Sequence, residues 1–150
     1  MIELLVVIAI IGILASIVLV SFPGASKRAK DSRMVSAVGQ ARTVMTYVYA
    51  NEGSYDSLAC SLEDMEPLCA EIADNHPTKG TNPTIVLSAG GTNSTSACMY
   101  TQLNAKDNYW YCADSHGRAG FVSTAANNPG QAGYCLVDAV NNSTHCPPFD

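Results

Sequence analysis

The chain has 150 residues, 47% of them hydrophobic and only 14% charged, and its eight basic and thirteen acidic side chains leave a formal charge of −5. This length holds one modest domain plus an appendage. The acidic groups concentrate in residues 51–150, which argues against nucleic-acid binding by that part on its own, because a phosphate backbone asks for a cationic footprint.

The N-terminal run MIELLVVIAIIGILASIVLV carries a single charge, Glu3, and from Leu4 to Val20 nothing is more polar than Ser16. As a helix those residues reach roughly 26 Å, close to the thickness of a bilayer core. Three readings compete. A cleaved secretory signal asks for basic residues before the run and a small-x-small site after it; the run instead begins without Lys or Arg and ends in Val20-Ser21-Phe22-Pro23. A plain membrane anchor accounts for the length but not for Glu3. It also sets Lys27, Arg28, Lys30 and Arg33 against the positive-inside preference if the N-terminus is cytoplasmic. The third reading is a segment that lies in the membrane first and later packs against copies of itself.

The stretch IELLVVIAIIGILASI resembles the N-terminus of type IV pilins and their pseudopilin relatives. The following KRAKDSRMVSAVGQARTVMTYVYANEGSYDSL is similar to that family's second helical half and its exit, so the resemblance covers about the first 58 residues. It implies a basic leader cut by a prepilin peptidase, methylation of the new amino terminus, and delivery to a pilus assembly machinery from the inner membrane. The family's glutamate, fifth in the mature chain, maps onto Glu3, which places the expected mature terminus two residues before Met1. In such an assembly Glu3 pairs with the amino terminus of a neighbouring subunit. A buried pair of this kind contributes little net stability, but it fixes register because breaking it strands a charge. The alternative is an interfacial carboxylate that merely touches headgroups.

Gly12 lowers helix propensity by roughly 1 kcal/mol relative to Ala, and Phe22-Pro23-Gly24 sets a helix breaker beside a flexible residue. We expect a kink or a short extended stretch near Ser21 to Gly24. The resemblance implies a helix that melts between Gly12 and Pro23 on assembly; a helix merely bent at Pro23 is the alternative. Beyond Pro23, Met34, Ala37, Val38, Ala41, Val44, Met45 and Val48 recur at helical spacing and line one face as far as about Ala50. Asn51-Glu52-Gly53-Ser54 is a helix exit with Gly53 suited to a left-handed conformation.

The remainder changes character. Residues 56–73 read as a short helix or two broken at Pro67. Short apolar stretches at Thr84 to Ala89, Cys98 to Leu103, Asn108 to Ala113, Gly120 to Val122 and Tyr134 to Val140 read as strands, with Ala105-Lys106-Asp107-Asn108 as a hairpin turn. The expected fold is α+β: a long N-terminal helix with a break near Pro23, packed against a small antiparallel-sheet head stapled by disulfides and pilin-like in kind. Its parts are a hydrophobic helix (1–26), an amphipathic second half of the stem (27–52) and a globular head (53–150).

All six cysteines, Cys60, Cys69, Cys98, Cys112, Cys135 and Cys146, fall in the head, and an even count beside an export-type N-terminus implies disulfides and an oxidising exterior. Sequential pairing is favoured because each bridge closes a local loop: Cys60 with Cys69, Cys98 with Cys112, Cys135 with Cys146. Zinc is the rival use, with His76, His116 and His145 in the same domain, but no C-x2-C spacing is present.

Residues 1–50 carry five basic and two acidic groups (+3), and residues 51–150 carry three and eleven (−8), which together give the −5 of the whole chain. A basic collar and an acidic head on one chain attract each other between copies. Catalytic signatures are missing from the sequence: no nucleophile elbow, P-loop or metal-ligand helix, and neither a metal nor a cofactor is expected. Glu63, Asp64 and Glu66 read as a solvated acidic patch. Asp107 and Asp114 lack the regular oxygen ligands of a calcium loop, and the aromatics Tyr47, Tyr49, Tyr55, Tyr109, Trp110 and Tyr111 read as packing. Asn93, Asn141 and Asn142 each begin an N-x-Ser/Thr triplet suited to glycan attachment.

The function expected is that of a non-enzymatic structural subunit forming an open helical homo-oligomer at the cell surface, seated in the cytoplasmic membrane beforehand. The alternatives are a pseudopilin of a secretion machine and a membrane-anchored binding or adhesin head that never polymerises.

Overall fold

The computed structural model describes residues 2–88, 91–123, 135–137 and 144–147. One helix, α1 (Ile2–Glu52), runs through the whole N-terminal third and spans roughly 77 Å by its residue count. Its C-terminal half buries Met34, Ala37, Val38, Ala41, Met45 and Val48, the face that helical periodicity predicts. The exit is also as expected: Gly53 takes φ +71° and donates its N–H to the Tyr49 carbonyl at 2.9 Å.

Against this face pack a short helix, α2 (Glu66–Asn75), and a four-stranded antiparallel sheet in sequential order: β1 (Thr84–Leu87), β2 (Ala97–Gln102), β3 (Tyr109–Asp114) and β4 (Ala119–Ser123). A two-stranded pair, β5 (Leu136–Val137) with β6 (Thr144–His145), is separate from that sheet. The result is α+β, a long N-terminal helix bearing a small antiparallel sheet with disulfides. Pro67 does not break a helix but begins one, because the first turn leaves its N–H positions unpaired and tolerates the proline ring. The fifth expected strand shortens to Leu136–Val137 among the described residues, and β6 had no counterpart in the sequence pattern.

The sheet has two covered faces. Ala97, Met99 and Ala113 face α1 and α2, in one core with Met34, Met45, Met65, Ile72 and Leu103. On the other face Cys98, Trp110, Cys112 and Val122 pack with Cys135 and Cys146. Burial on both sides explains why β2 and β3 lack the clean alternation of a half-exposed strand.

Two carboxylates tie distant segments to this frame. Asp31, buried on α1, accepts the backbone N–H of Asn104 at 2.6 Å and of Ala105 at 2.8 Å, and the Asn104 side-chain amide at 2.9 Å. The same Asn104 amide donates to the Asn75 carbonyl at the end of α2. Stem, α2 and the β2–β3 loop therefore meet at one side chain. Asp56, just past the helix exit, accepts the N–H groups of Ser94 and Asn93, each at 2.8 Å, and so holds the β1–β2 loop. Bonds from Ser94 above all keep its pKa below the ordinary 3.8.

Replacing Asp31 with Ala leaves two backbone donors without their acceptor, and we expect a loss of about 3 kcal/mol in urea unfolding; an unchanged midpoint would mean that Asp31 does not anchor the head. Asp56 has a depressed folded-state pKa, so its contribution is complete above the unfolded value and is lost as pH falls through the lower folded value. Protection of the Asn93 and Ser94 amides, taken relative to their intrinsic exchange rates, should fall in the native chain as pH drops below the ordinary aspartate range. In Asp56→Asn that protection should be low throughout, with no acid-dependent step.

Candidate functional site

Among the described side chains, the N-terminal half of α1 is bare. Every described side chain from Ile2 to Ile17 is exposed, the large apolar ones from 77% at Ile2 to 50% at Val6, and the first buried residue of the stem among those described is Asp31. At about 1.5 Å per residue, roughly 43 Å of helix precede the head. Glu3 sits in the first turn, the acidic position that the helix dipole favours. A continuous apolar surface of this extent is far beyond the patches that soluble monomers expose singly.

The interruption expected at Gly12, Pro23 and Gly24 takes the form of a bend, and no extended stretch occurs. The helix is continuous through all three, and segments Ile2–Ile17 and Phe22–Glu52 meet at 43°. The cause is Pro23, whose ring crowds the preceding turn and whose missing N–H leaves the Leu19 carbonyl without its helical donor. The bend accordingly lies on the N-terminal side of the proline. Gly12 is ordinary helix with open space where a Cβ would sit. Among the described residues no single straight helix is long and apolar enough to cross a membrane, while the bent pair passes by length and composition.

Below the head, Lys27, Arg28 and Lys30 are exposed on the stem. The other two basic residues of this half are used by the head: Arg33 lies 3.8 Å from Glu71, and Arg42 donates to the Gly117 carbonyl at 3.0 Å. The first contact is exposed and contributes little. Glu63, Asp64 and Glu66 are exposed around the start of α2.

The cysteines correct the pairing favoured by loop length. Cys60–Cys69 forms as expected, but the other four cross over as Cys98–Cys135 and Cys112–Cys146. The register gives the reason: Cys98 stands opposite Asp114, and Cys112 opposite Tyr100. The two hairpin cysteines are diagonal neighbours on one face, where backbone separations of about 7–8 Å exceed the usual disulfide reach. Their sulfurs still lie 3.3 Å apart, and each bonds outward to the C-terminal segment. Closing loops of 37 and 34 residues restricts the unfolded chain by about 3–4 kcal/mol per bridge, slightly more than the short local pairs would. The near-contact of Cys98, Cys112 and Cys135 has the proximity of a metal site, but sulfurs held in disulfides offer no thiolate to zinc.

Asp114, weighed as a calcium ligand, is buried with both oxygens occupied: Oδ1 accepts the His116 and Arg118 N–H groups, and Oδ2 the Cys146 N–H. It is a structural staple, and Asp107 is exposed on the hairpin. Asn93 is exposed in a left-handed turn at φ 51°, whereas Ser94 of its triplet is buried and donates to the Ser88 carbonyl. Asn141 and Asn142 lie outside the described residues. Of the aromatics, Tyr109 and Phe121 stack at 5.6 Å with Lys106 4.7 Å over the Tyr109 ring, while Trp110 is on the opposite face.

Compared with known proteins, the chain matches no family model, no curated protein and no solved structure.

Peptide mapping without reduction should recover Cys98 joined to Cys135 and Cys112 joined to Cys146. A Cys98–Cys112 peptide as the main product contradicts the crossed arrangement.

Proposed function

We propose that the chain is a type IV pilin-like structural subunit, held in the cytoplasmic membrane by the first half of α1 and then polymerised into an extracellular helical filament. One observation carries this reading: an apolar helix bare on all sides from Ile2 to Ile17, bearing a lone carboxylate and joined to a disulfide-stapled head. Exposure all round, instead of one stripe, suits a helix enclosed by lipid or by several like helices. The N-terminal likeness to pilins points the same way, and the pilin-like character of the fold belongs to the same proposal.

In this assembly the stems form the interior and the heads the outside. The contact between copies is heterologous, so repetition gives an open helix. Apolar side chains supply the cohesion. Glu3, the one charge in the apolar run, selects the register by needing a cation from a neighbour, for which the processed amino terminus of the next subunit is the natural donor. Lys27, Arg28 and Lys30 form a collar just outside the apolar half, facing the acidic heads of other copies across the groove between subunits.

Sheared cell-surface material should contain fibres visible by electron microscopy with this chain as the main component by mass spectrometry. Glu3→Gln should leave the chain in the membrane fraction and abolish those fibres. Fibres of normal length and number from Glu3→Gln refute the register role, and failure to find the native chain in any surface fibre refutes the major-subunit reading.

A further inference from the structure

We infer that the underside of the head and the stem just below it form a docking surface for anionic phospholipid headgroups. The inference rests on the membrane seat proposed above and names what that seat holds at its rim. Twenty residues counted from Glu3 reach about 30 Å, the thickness of a bilayer core, and end at Phe22. Lys27 follows about 8 Å further along the axis and Lys30 about 12 Å, and both are exposed, as is Arg28. Side chains on a helix lean toward its N-terminus, so all three cationic heads reach back toward the headgroup layer.

The head supplies the rest. Asp31 holds the N–H groups of Asn104 and Ala105, which fixes the tip of the β2–β3 hairpin at its level. Lys27 and Arg28 precede Asp31 by four and three residues and share its face of the helix, one turn nearer the apolar run. They therefore lie beneath the hairpin tip. Lys106, on that tip, is exposed and stands 4.7 Å over the Tyr109 ring, which stacks on the partly exposed Phe121 at 5.6 Å. A long cationic side chain over aromatic rings is a pairing suited to the membrane interface.

Charge decides the partner. The head as a whole is acidic, yet this end gathers the exposed cations Lys27, Arg28, Lys30 and Lys106 against the exposed acid Asp107. Asp31 neutralises none of them, because it is buried and both its oxygens accept from the hairpin. Asp74, near the end of α2, has Lys79 at 4.0 Å. The acidic patch lies at the other end of α2, where Asp64 shares a groove with Tyr47. An anionic bilayer surface attracts each basic group at its level about fivefold. Nucleic-acid phosphates offer the same chemistry, but a duplex would have to enter the headgroup layer to reach these side chains. In the filament, carboxylates of other copies replace the lipid phosphates.

The full chain is reconstituted into phosphatidylcholine vesicles with a trace of spin-labelled phosphatidylglycerol or spin-labelled phosphatidylcholine, and electron spin resonance measures the label immobilised by the protein. Flotation with the vesicles after a carbonate wash reports the seat itself. The chain should float, and it should immobilise the phosphatidylglycerol label about two- to fivefold more than the other. Salt at about 0.5 M should remove most of that preference. The combined variant Lys27→Gln, Arg28→Gln and Lys30→Gln should float equally well with no preference left, and Lys106→Gln should lower it in part. Equal immobilisation of both labels by a floating chain overturns the inference and leaves the seat standing, as does a preference unchanged in the combined variant. Displacement of the phosphatidylglycerol label by a DNA duplex assigns the surface to nucleic acid and overturns the inference too. Failure to float refutes the seat and the inference with it.

Discussion

The position of the head on the stem depends on the carboxylate of Asp31. It is the first buried residue of α1 among those described, and the only one of the two acids in residues 1–50 to lie within the head's footprint. Three hydrogen bonds run from the β2–β3 loop to its two oxygens, and one of the donors also reaches the end of α2. Moving this group by one residue would rotate it about 100° around the helix and away from every partner. The hydrophobic face above it, from Met34 to Val48, tolerates small axial slips because apolar contacts are not directional. Asp31 therefore supplies the directional constraint that the apolar face lacks.

That role was not visible in the sequence. Beside Lys30 and Arg33, Asp31 reads as one member of a solvated local pair, whereas its partners are 73 and 74 residues away. Local regularities were legible: the helical spacing from Met34 to Val48, the exit at Gly53, and the hairpin turn ending at Asn108, which takes φ 55°. The non-local ones were not. The Cys98–Cys135 and Cys112–Cys146 bridges depend on strand register, which places the hairpin cysteines diagonally, and spacing along the chain carries no record of that. Pro67 illustrates a different ambiguity, since the same residue type ends one helix and begins the next, and only the surrounding packing decides.

The described Asn93 triplet shows the converse. Its sequence pattern is complete, yet its central serine is consumed inside the fold, so any modification there must work on an already ordered turn.

The energetics of the bare stem set the division of labour in the proposed assembly. Eleven large apolar side chains between Ile2 and Ile17 stand at least half exposed. Even at about 1 kcal/mol each, half of what full burial of such a group yields, enclosing them gains on the order of 10 kcal/mol. Enclosing Glu3 unpaired costs about 3 kcal/mol on insertion scales. The apolar term wins whether the surroundings are lipid or copies of the same helix, so cohesion alone does not distinguish membrane from filament. Only the carboxylate does. In lipid it remains at an edge with water within reach, and among like helices it must meet a cation, so a few kcal/mol at one side chain are enough to choose between registers that the other residues of the run treat as equal.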